Sequence, residues 1–216
     1  MKIGIIGSGN VGGALGSRWA KLGHEVVFGT RDPQGLDVQQ LAAKAGGKTS
    51  VATLADAASK GDVLLLAMPW PATEQVIGSL GDLSKKILID ATNPLLPDMS
   101  GLTLGTTTSA GEQVASWARG AKVVKAFNTV GANIMGDPSF DGHKPVMFYC
   151  GDDAEAKKVV KKLIDELVFE AVDAGPLKQA RLLEPFALLW ISLAFAQGMG
   201  LDFAFELLRR REAKAA

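Results

Sequence analysis

The sequence has little that points to metal, disulfide or nucleic-acid chemistry. Among its 216 residues there is a single cysteine, Cys150, and there are two histidines. One cysteine excludes an intrachain disulfide and a cysteine-ligated metal cluster, and it fits a protein of the reducing cytoplasm. Lysine plus arginine and aspartate plus glutamate both number 23, so the formal net charge is zero. This balance supplies no attraction to nucleic acid or anionic membranes, and we expect neither as a partner.

Long apolar runs are also missing. The most apolar stretch, residues 185–196, is shorter than the roughly 18 to 20 residues that a bilayer requires, and Glu184 and Gln197 flank it. We therefore expect a helix buried in the core or in a homodimer interface rather than a membrane span. The chain opens with Met-Lys and an apolar segment, without the pattern of a signal peptide.

What is present is an alternation of short β-branched segments and helical patterns, which is typical of a parallel sheet with crossover helices. Strands apolar on both faces are predicted at residues 2–6, 25–28, 62–67, 86–91 and 122–127, with a weaker one at 49–52. Helices are predicted between them, at residues 10–22, 38–45, 72–80 and 111–118. The alternation continues with a strand at 145–150, a helix at 153–167, a strand at 170–173 and an apolar helix from about Gln179.

The predicted fold is a Rossmann-type, doubly wound α/β fold with a mainly parallel sheet and a small C-terminal α/β extension. We expect an NADP-binding core at residues 1–125 and the extension at residues 126–216. No linker rich in proline, serine and charge separates the two parts, so we expect one continuous body.

The strongest motif is a glycine-rich turn, Gly7-Ser8-Gly9-Asn10-Val11-Gly12, between the first predicted strand and the first helix. In the dinucleotide-binding fingerprint, the first glycine permits a tight turn and the second lets the backbone approach the pyrophosphate. The third lets helix and strand pack closely. Free N–H groups and the positive end of the helix dipole then face the pyrophosphate. The context favours dinucleotide binding over an ordinary strand–helix connection.

The end of the second strand distinguishes NAD from NADP. NAD enzymes carry an acidic residue there that binds the ribose diol, whereas an arginine accommodates the 2′-phosphate of NADP. Gly29 stands where the acid would, and Thr30 and Arg31 follow with a hydroxyl and a planar fork of donors. The alternative is that Asp32 is the NAD acid, although it comes about two or three residues late. We predict NADP.

Ligands of open α/β sheets lie outside the carboxyl ends of the strands. Three further strand ends read Ala67-Met68-Pro69-Trp70, Ala91-Thr92-Asn93-Pro94 and Ala126-Phe127-Asn128-Thr129. Their small residues, backbone groups and amides suit an uncharged ribose and carboxamide, so cofactor contacts are expected from Ala67, Met68, Pro69, Asn93 and Asn128. Trp70 either stacks beside a planar ring or anchors the start of a helix. Asn128 either binds the carboxamide or substrate or forms a turn.

A general acid or base is not evident in the sequence. His24 and His143 lie in predicted turns, and there is neither a His-Glu-x-x-His zinc pattern nor a nucleophile elbow. Direct hydride transfer depends on positioning and stacking more than on proton shuttling, so it fits this residue set. Asn128 is the candidate for a residue at the reacting centre.

These residues resemble the F420H2:NADP oxidoreductases, the NADPH-dependent reductases of the deazaflavin coenzyme F420, which are also similar to the cytosolic domain of STEAP metalloreductases. The resemblance covers nearly the whole chain. It is carried by the glycine-rich turn and by segments at residues 23–31, 69–70, 151–153, 173–177, 180–184 and 198–200. The late segments are the specific ones, because an unrelated Rossmann protein has no reason to share them.

The resemblance implies hydride transfer between NADP(H) and F420 or a flavin such as FMN or FAD. It implies pyrophosphate contacts from Ser8, Asn10 and Val11. It implies that the 2′-phosphate is held by Thr30 and Arg31. It also implies a ribose lined by Ala67, Met68 and Pro69, and a nicotinamide between the first turn and the strand ends near Asn128.

Two other functions stay open. One is reduction of a small C=N or C=O substrate, as in pyrroline-carboxylate or β-hydroxyacid reductases, which typically use a dedicated helical domain and, in the hydroxyacid case, a lysine base. The short C-terminal part shows no clear equivalent of either. The other is NADP(H) binding without catalysis, which turnover with an acceptor would exclude.

Overall fold

Segments rich in valine, isoleucine and leucine form the strands of a single sheet in the computed structural model, which describes residues 1–210. The strands are β1 (Lys2–Ile6), β2 (Glu25–Thr30), β3 (Lys48–Thr53), β4 (Val63–Leu66), β5 (Ile87–Asp90), β6 (Lys122–Lys125), β7 (Val146–Gly151) and β8 (Glu170–Asp173). The α-helices are α1 (Asn10–Lys21), α2 (Leu36–Ala45), α3 (Leu54–Lys60), α4 (Thr73–Ser79), α5 (Ala110–Trp117), α6 (Ala132–Gly136), α7 (Ala154–Glu166) and α8 (Ala180–Ile191). A π-helical turn, Ser192–Ala196, continues α8.

The strands lie in the order β3-β2-β1-β4-β5-β6-β7-β8. The first six are parallel, β7 is antiparallel to β6, and β8 is parallel to β7. The order reverses direction between β1 and β4, and in such sheets the ligand crevice lies at this switch point. The predicted Rossmann-type fold is confirmed. Because β7 and β8 extend the same sheet, the division at residue 125 stays a prediction.

Each face of the sheet is covered by its own apolar layer. Ile3 and Ile5 of β1 pack into the layer that contains Trp19 of α1, whereas Ile6 packs into the opposite layer with Leu183 of α8. Side chains alternate between the faces of a strand, so a strand buried on both sides is apolar at almost every position. The predicted apolar segment at 185–196 is helical, and Ala187, Trp190 and Ala194 in it are buried.

Differences from the predicted elements concern short segments and ends. The weak strand at 49–52 is β3, at the edge of the sheet, and α2 begins at Leu36 instead of residue 38. The helices α3 and α6 were not predicted, because seven and five residues are too few to show a helical period. Thr53 accepts a hydrogen bond from the Asp56 N–H at 3.1 Å, a capping pattern that marks the start of α3 in the sequence.

Candidate cofactor-binding site

The glycine-rich turn connects β1 to α1 at the switch point of the sheet. Gly7 has φ +108°, and a Cβ there would lie 2.3 Å from the carbonyl oxygen of Ala67. A Cβ at Gly12 would lie 1.9 Å from the carbonyl oxygen of Gly7. Neither position accepts a larger residue, as the fingerprint requires. Gly12 therefore serves packing between helix and strand.

Gly9 differs from its neighbours because a Cβ there would meet nothing within 4 Å. It caps the N-terminus of α1, and no side chain caps that end of the helix. The first N–H groups of a helix have no partners within it, and they carry the positive end of the helix dipole. The N–H groups at the start of α1, with the open space beside Gly9, therefore form an anion-binding site that fits a pyrophosphate.

A cavity of about 540 Å³ lies on the β2 side of this turn. Its wall includes the turn itself, the end of β2 and the end of β4, with Thr30 and Arg31 on one side and Gln75 of α4 on the other. The predicted residues that it brings together are Gly7, Ser8, Gly9, Thr30, Arg31, Ala67, Met68 and Pro69. Leu54, Gln75 and Ser79 also line it, and no motif in the sequence marked them.

The space at the end of β2 leaves no room for an acidic side chain at Gly29. A Cβ there would lie 2.8 Å from the Ala57 Cβ and 2.9 Å from the Ile5 carbonyl oxygen. Asp32 lines a neighbouring groove toward α2, and its carboxylate accepts a hydrogen bond from the Gln34 N–H at 3.1 Å. The residue on the cavity that can carry a charge to a ribose is Arg31.

A second cavity, of about 820 Å³, lies beyond the turn toward β5. The two cavities share Gly9 and the segment Ala67, Met68 and Pro69, so they form one cleft across the switch point. Predicted residues Asn10, Val11 and Asn93 line the second cavity. A loop after β5 closes it with Leu95, Leu96, Pro97, Met99 and Thr103, which the sequence analysis did not identify. Among the described lining residues, none carries a charge.

Trp70 stands at the start of a helical segment, one of the two roles that the sequence left open, and stacking on a ligand ring stays a prediction. It lines the second cavity, and its ring stacks on Trp117 of α5 with centroids 5.3 Å apart. The residue opens the 3₁₀ turn that leads into α4. The stack holds the indole at the cavity wall, where a planar ligand ring could contact it.

Asn93 and Asn128 hold each other at the ends of β5 and β6. The Asn128 Nδ2 donates to the Asn93 Oδ1 at 3.0 Å, and the Asn93 Nδ2 donates to the Asn128 carbonyl oxygen at 3.0 Å. These bonds leave Asn93 with one free N–H and one free lone pair on the cavity. Asn128 is 5% exposed and does not line the cavity, whereas Asn93 does, so the cavity wall offers a direct cofactor contact to Asn93 and not to Asn128.

The backbone before Asn128 is strained. Phe127 has φ +62°, a left-handed conformation that costs a non-glycine residue about 1–2 kcal/mol. Its buried ring packs edge-to-face against Trp19, with centroids 5.6 Å apart. Packing therefore holds a turn that brings Asn128 to Asn93.

Sequence reasoning missed a buried charged cluster beneath the second cavity. The Lys125 Nζ lies 2.8 Å from the Asp90 Oδ2 and 2.9 Å from the Glu184 Oε1, and it donates to the Thr92 carbonyl oxygen at 2.6 Å. Burial lowers the pKa of Lys125, but the charges of Asp90 and Glu184 outweigh it, so this pKa lies above its ordinary value. The feature of the sequence that could have indicated this cluster is the lysine at the end of an apolar strand.

Within residues 1–210, no group of three or more histidine, cysteine, aspartate or glutamate residues is placed to hold a metal ion. His24 and His143 do not line the two cavities; they pair with Glu166 and Glu206. Across the same described part of the chain, no helix has the length and apolar character needed to cross a bilayer.

Comparison with known proteins agrees with this geometry. The family model described as NADP oxidoreductase coenzyme F420-dependent matches residues 2–94, which include β1 to β5. The F420-dependent NADP reductase of Methanothermobacter thermautotrophicus is 31% identical over 210 residues, covering 89% of each chain. The chain belongs to the F420-dependent NADP reductase family. It is therefore an oxidoreductase of this family, and the family resemblance drawn from the sequence is confirmed.

Two further comparisons extend the family assignment. The crystal structure of a provisionally named F420-dependent NADP reductase from Arthrobacter sp. FB24 is 33% identical, with a TM-score of 0.88 over 97% of this chain and all of that one. Metalloreductase STEAP3 of Rattus norvegicus is 30% identical over 187 residues, which cover 87% of this chain but 36% of the metalloreductase. The likeness thus includes the C-terminal elements, beyond the region that the family model matches.

Proposed function

We propose that this protein transfers a hydride between NADP(H) and F420 or a flavin-type acceptor. The observation that carries the proposal is the continuous cleft across the switch point, with the open anion site at Gly9 at its centre. Arg31 lies at one end of the cleft, and an uncharged cavity lies at the other. That arrangement matches a dinucleotide with a phosphorylated ribose at one end and a nicotinamide at the other.

The residues divide along the cleft by what they can bind. N–H groups at the start of α1, with Ser8, would hold the pyrophosphate. Thr30 and Arg31 would bind the 2′-phosphate through a hydroxyl and a guanidinium. Main-chain and side-chain groups of Ala67, Met68 and Pro69 would line the ribose. The proposed contacts lie close together, because the first cavity is lined by Ser8, Thr30, Arg31, Ala67, Met68 and Pro69.

The reaction end needs orientation and exclusion of water more than acid–base groups. Bound NADPH supplies two electrons and one proton as a hydride to the acceptor ring, and the acceptor takes a second proton from solvent. The free N–H and lone pair of Asn93 would orient the carboxamide, with Asn128 as the positioning residue behind it. Trp70 would flank the planar rings.

Turnover with defined acceptors tests the proposal. The purified protein is mixed with NADPH and, in separate reactions, F420, FMN and FAD, and loss of NADPH absorbance is followed. We expect F420 or a flavin to be reduced, and NADH to be a poor donor. No turnover with any of the three refutes the acceptor assignment, and tight NADPH binding without turnover would favour the non-catalytic alternative.

We also propose that the protein is a homodimer. Leu182 and Leu189 of α8 and Phe195 of the following turn are 65%, 48% and 56% exposed, an apolar face of the kind that obligate interfaces bury. Sedimentation equilibrium should give a dimer mass, and Leu189→Glu should give a monomer. A monomeric wild-type protein contradicts the proposal. The cytoplasmic location stays a prediction from cysteine content.

A further inference from the structure

The cluster of Asp90, Lys125 and Glu184 is buried, yet the proposed hydride transfer gives it no role. All three side chains are at most 1% exposed. The three protons of the Lys125 ammonium face the Asp90 Oδ2, the Glu184 Oε1 and the Thr92 carbonyl oxygen. The lysine is thus fully paired in its charged form.

The hydrogen bonds also define the charge of the two carboxylates. The Asp90 Oδ1 accepts from the N–H and the hydroxyl of Thr92, at 2.9 and 2.7 Å. The Glu184 oxygens accept from the N–H groups of Ala110 and Gly111, at 2.9 and 3.0 Å. Each carboxylate oxygen therefore accepts from at least one donor, which favours the ionised form of both groups. With two carboxylates and one ammonium, the cluster carries a net charge of −1.

The N-terminus of α5 offsets only part of this charge. Ala110 and Gly111 open α5, and a helix N-terminus carries roughly half a positive charge. A net negative charge therefore remains in a region that excludes water, where screening by salt is weak.

Thr92 places this charge next to the cleft. Its N–H, hydroxyl and carbonyl groups all bond to the cluster, while the residue lines the second cavity beside Asn93. One residue thus separates the buried charge from the uncharged cavity.

We propose that the buried negative charge favours the oxidised, cationic nicotinamide over the neutral reduced form, which makes bound NADPH a stronger hydride donor. The inference rests on the proposed function, because it needs the nicotinamide in the cavity that Thr92 lines. Asp90, Lys125 and Glu184 do not touch the cofactor in this arrangement. They are positioning residues that set the potential of the bound couple through Thr92.

Equilibrium binding of the two cofactor forms tests the inference without turnover. Asp90→Asn and Glu184→Gln each remove one negative charge and leave the cluster neutral. The Kd of NADP+ divided by the Kd of NADPH, measured by fluorescence titration, should rise about tenfold in both variants, the order expected for one charge acting through partly dry protein. Leu183→Ala is the matched control, since it removes buried packing on α8 beside Glu184 without changing charge.

The outcomes separate this inference from the proposed function. If wild-type protein binds neither form, the proposed function fails. If both forms bind and the ratio is unchanged in a folded Asp90→Asn or Glu184→Gln variant, the inference alone is overturned. An equal shift in Leu183→Ala also overturns it, because packing would then explain the effect.

Discussion

Replacement of Arg31 by glutamine tests the cofactor preference most directly. Arg31 lies at the β2 end of the cleft beside Thr30, where Gly29 leaves no space for an acidic side chain. A 2′-phosphate bound there would interact with the guanidinium. NADH has no 2′-phosphate, so its binding does not depend on this interaction. The substitution removes the charge but keeps a polar side chain of similar reach.

The expected size of the effect follows from the exposure of Arg31. An ion pair about 4 Å apart gains about 1 kcal/mol in bulk water and about 4 kcal/mol near a protein surface. Arg31 is exposed at the rim of the cavity, so solvent screens part of this interaction. We expect a loss of about 2 kcal/mol, which lowers kcat/KM for NADPH about 30-fold.

Steady-state kinetics with both dinucleotides provide the assay, using whichever acceptor is reduced. Activity with NADH should change little, and Arg31→Lys should keep part of the preference for NADPH. Asp32→Asn is the matched control, because that carboxylate lies in the neighbouring groove. An unchanged ratio of NADPH to NADH efficiency in Arg31→Gln would refute the 2′-phosphate site. A selective loss of NADH use in Asp32→Asn would show that Asp32 is the NAD acid.

The remaining predictions concern three buried residues. Gly12→Ala should lose cofactor binding and thermal stability, because its Cβ would lie 1.9 Å from the Gly7 carbonyl oxygen. Titration and calorimetry measure the two losses, and a wild-type melting temperature in the variant would contradict the prediction. Lys125→Met should lower the free energy of unfolding by about 3–5 kcal/mol in urea, since two buried carboxylates lose their cation. The folded-state pKa of Lys125 is raised, so its ion pairs add to the free energy of unfolding at pH values below the ordinary lysine pKa of about 10.4. This stabilisation is lost as the pH rises through the folded-state pKa. A wild-type urea midpoint that stays constant at high pH would argue against it. Burial raises the pKa of Cys150 to about 12, so iodoacetamide should alkylate it at neutral pH only after unfolding, and rapid labelling of native protein would show that the thiol is accessible.

Most of the fold could be predicted because its elements are marked locally. Apolar runs such as Val63–Leu66 are strands buried on both faces, and the glycine-rich turn has conformational requirements that few other residues meet. The positions of α3 and α6 could not be predicted from periodicity, since each is shorter than the window in which a helical period is visible. Right-handed crossovers restrict the possible strand orders, and the structure shows which of them is adopted.

The cofactor end of the site and its reaction end differ in how much the sequence reveals. Residues 7–12 and residues 29–31 each form one short continuous segment, so the sequence alone predicts a dinucleotide site with an arginine at the position of the extra phosphate of NADP. Only the tertiary structure decided that Asn128 lies behind Asn93, that Asp32 lines a groove beside the cleft toward α2, and that a charged cluster lies beneath Thr92. Burial and ion pairing depend on segments that are far apart in the chain, and Asp90 and Glu184 are separated by 94 residues. Packing of the whole sheet brings such segments together.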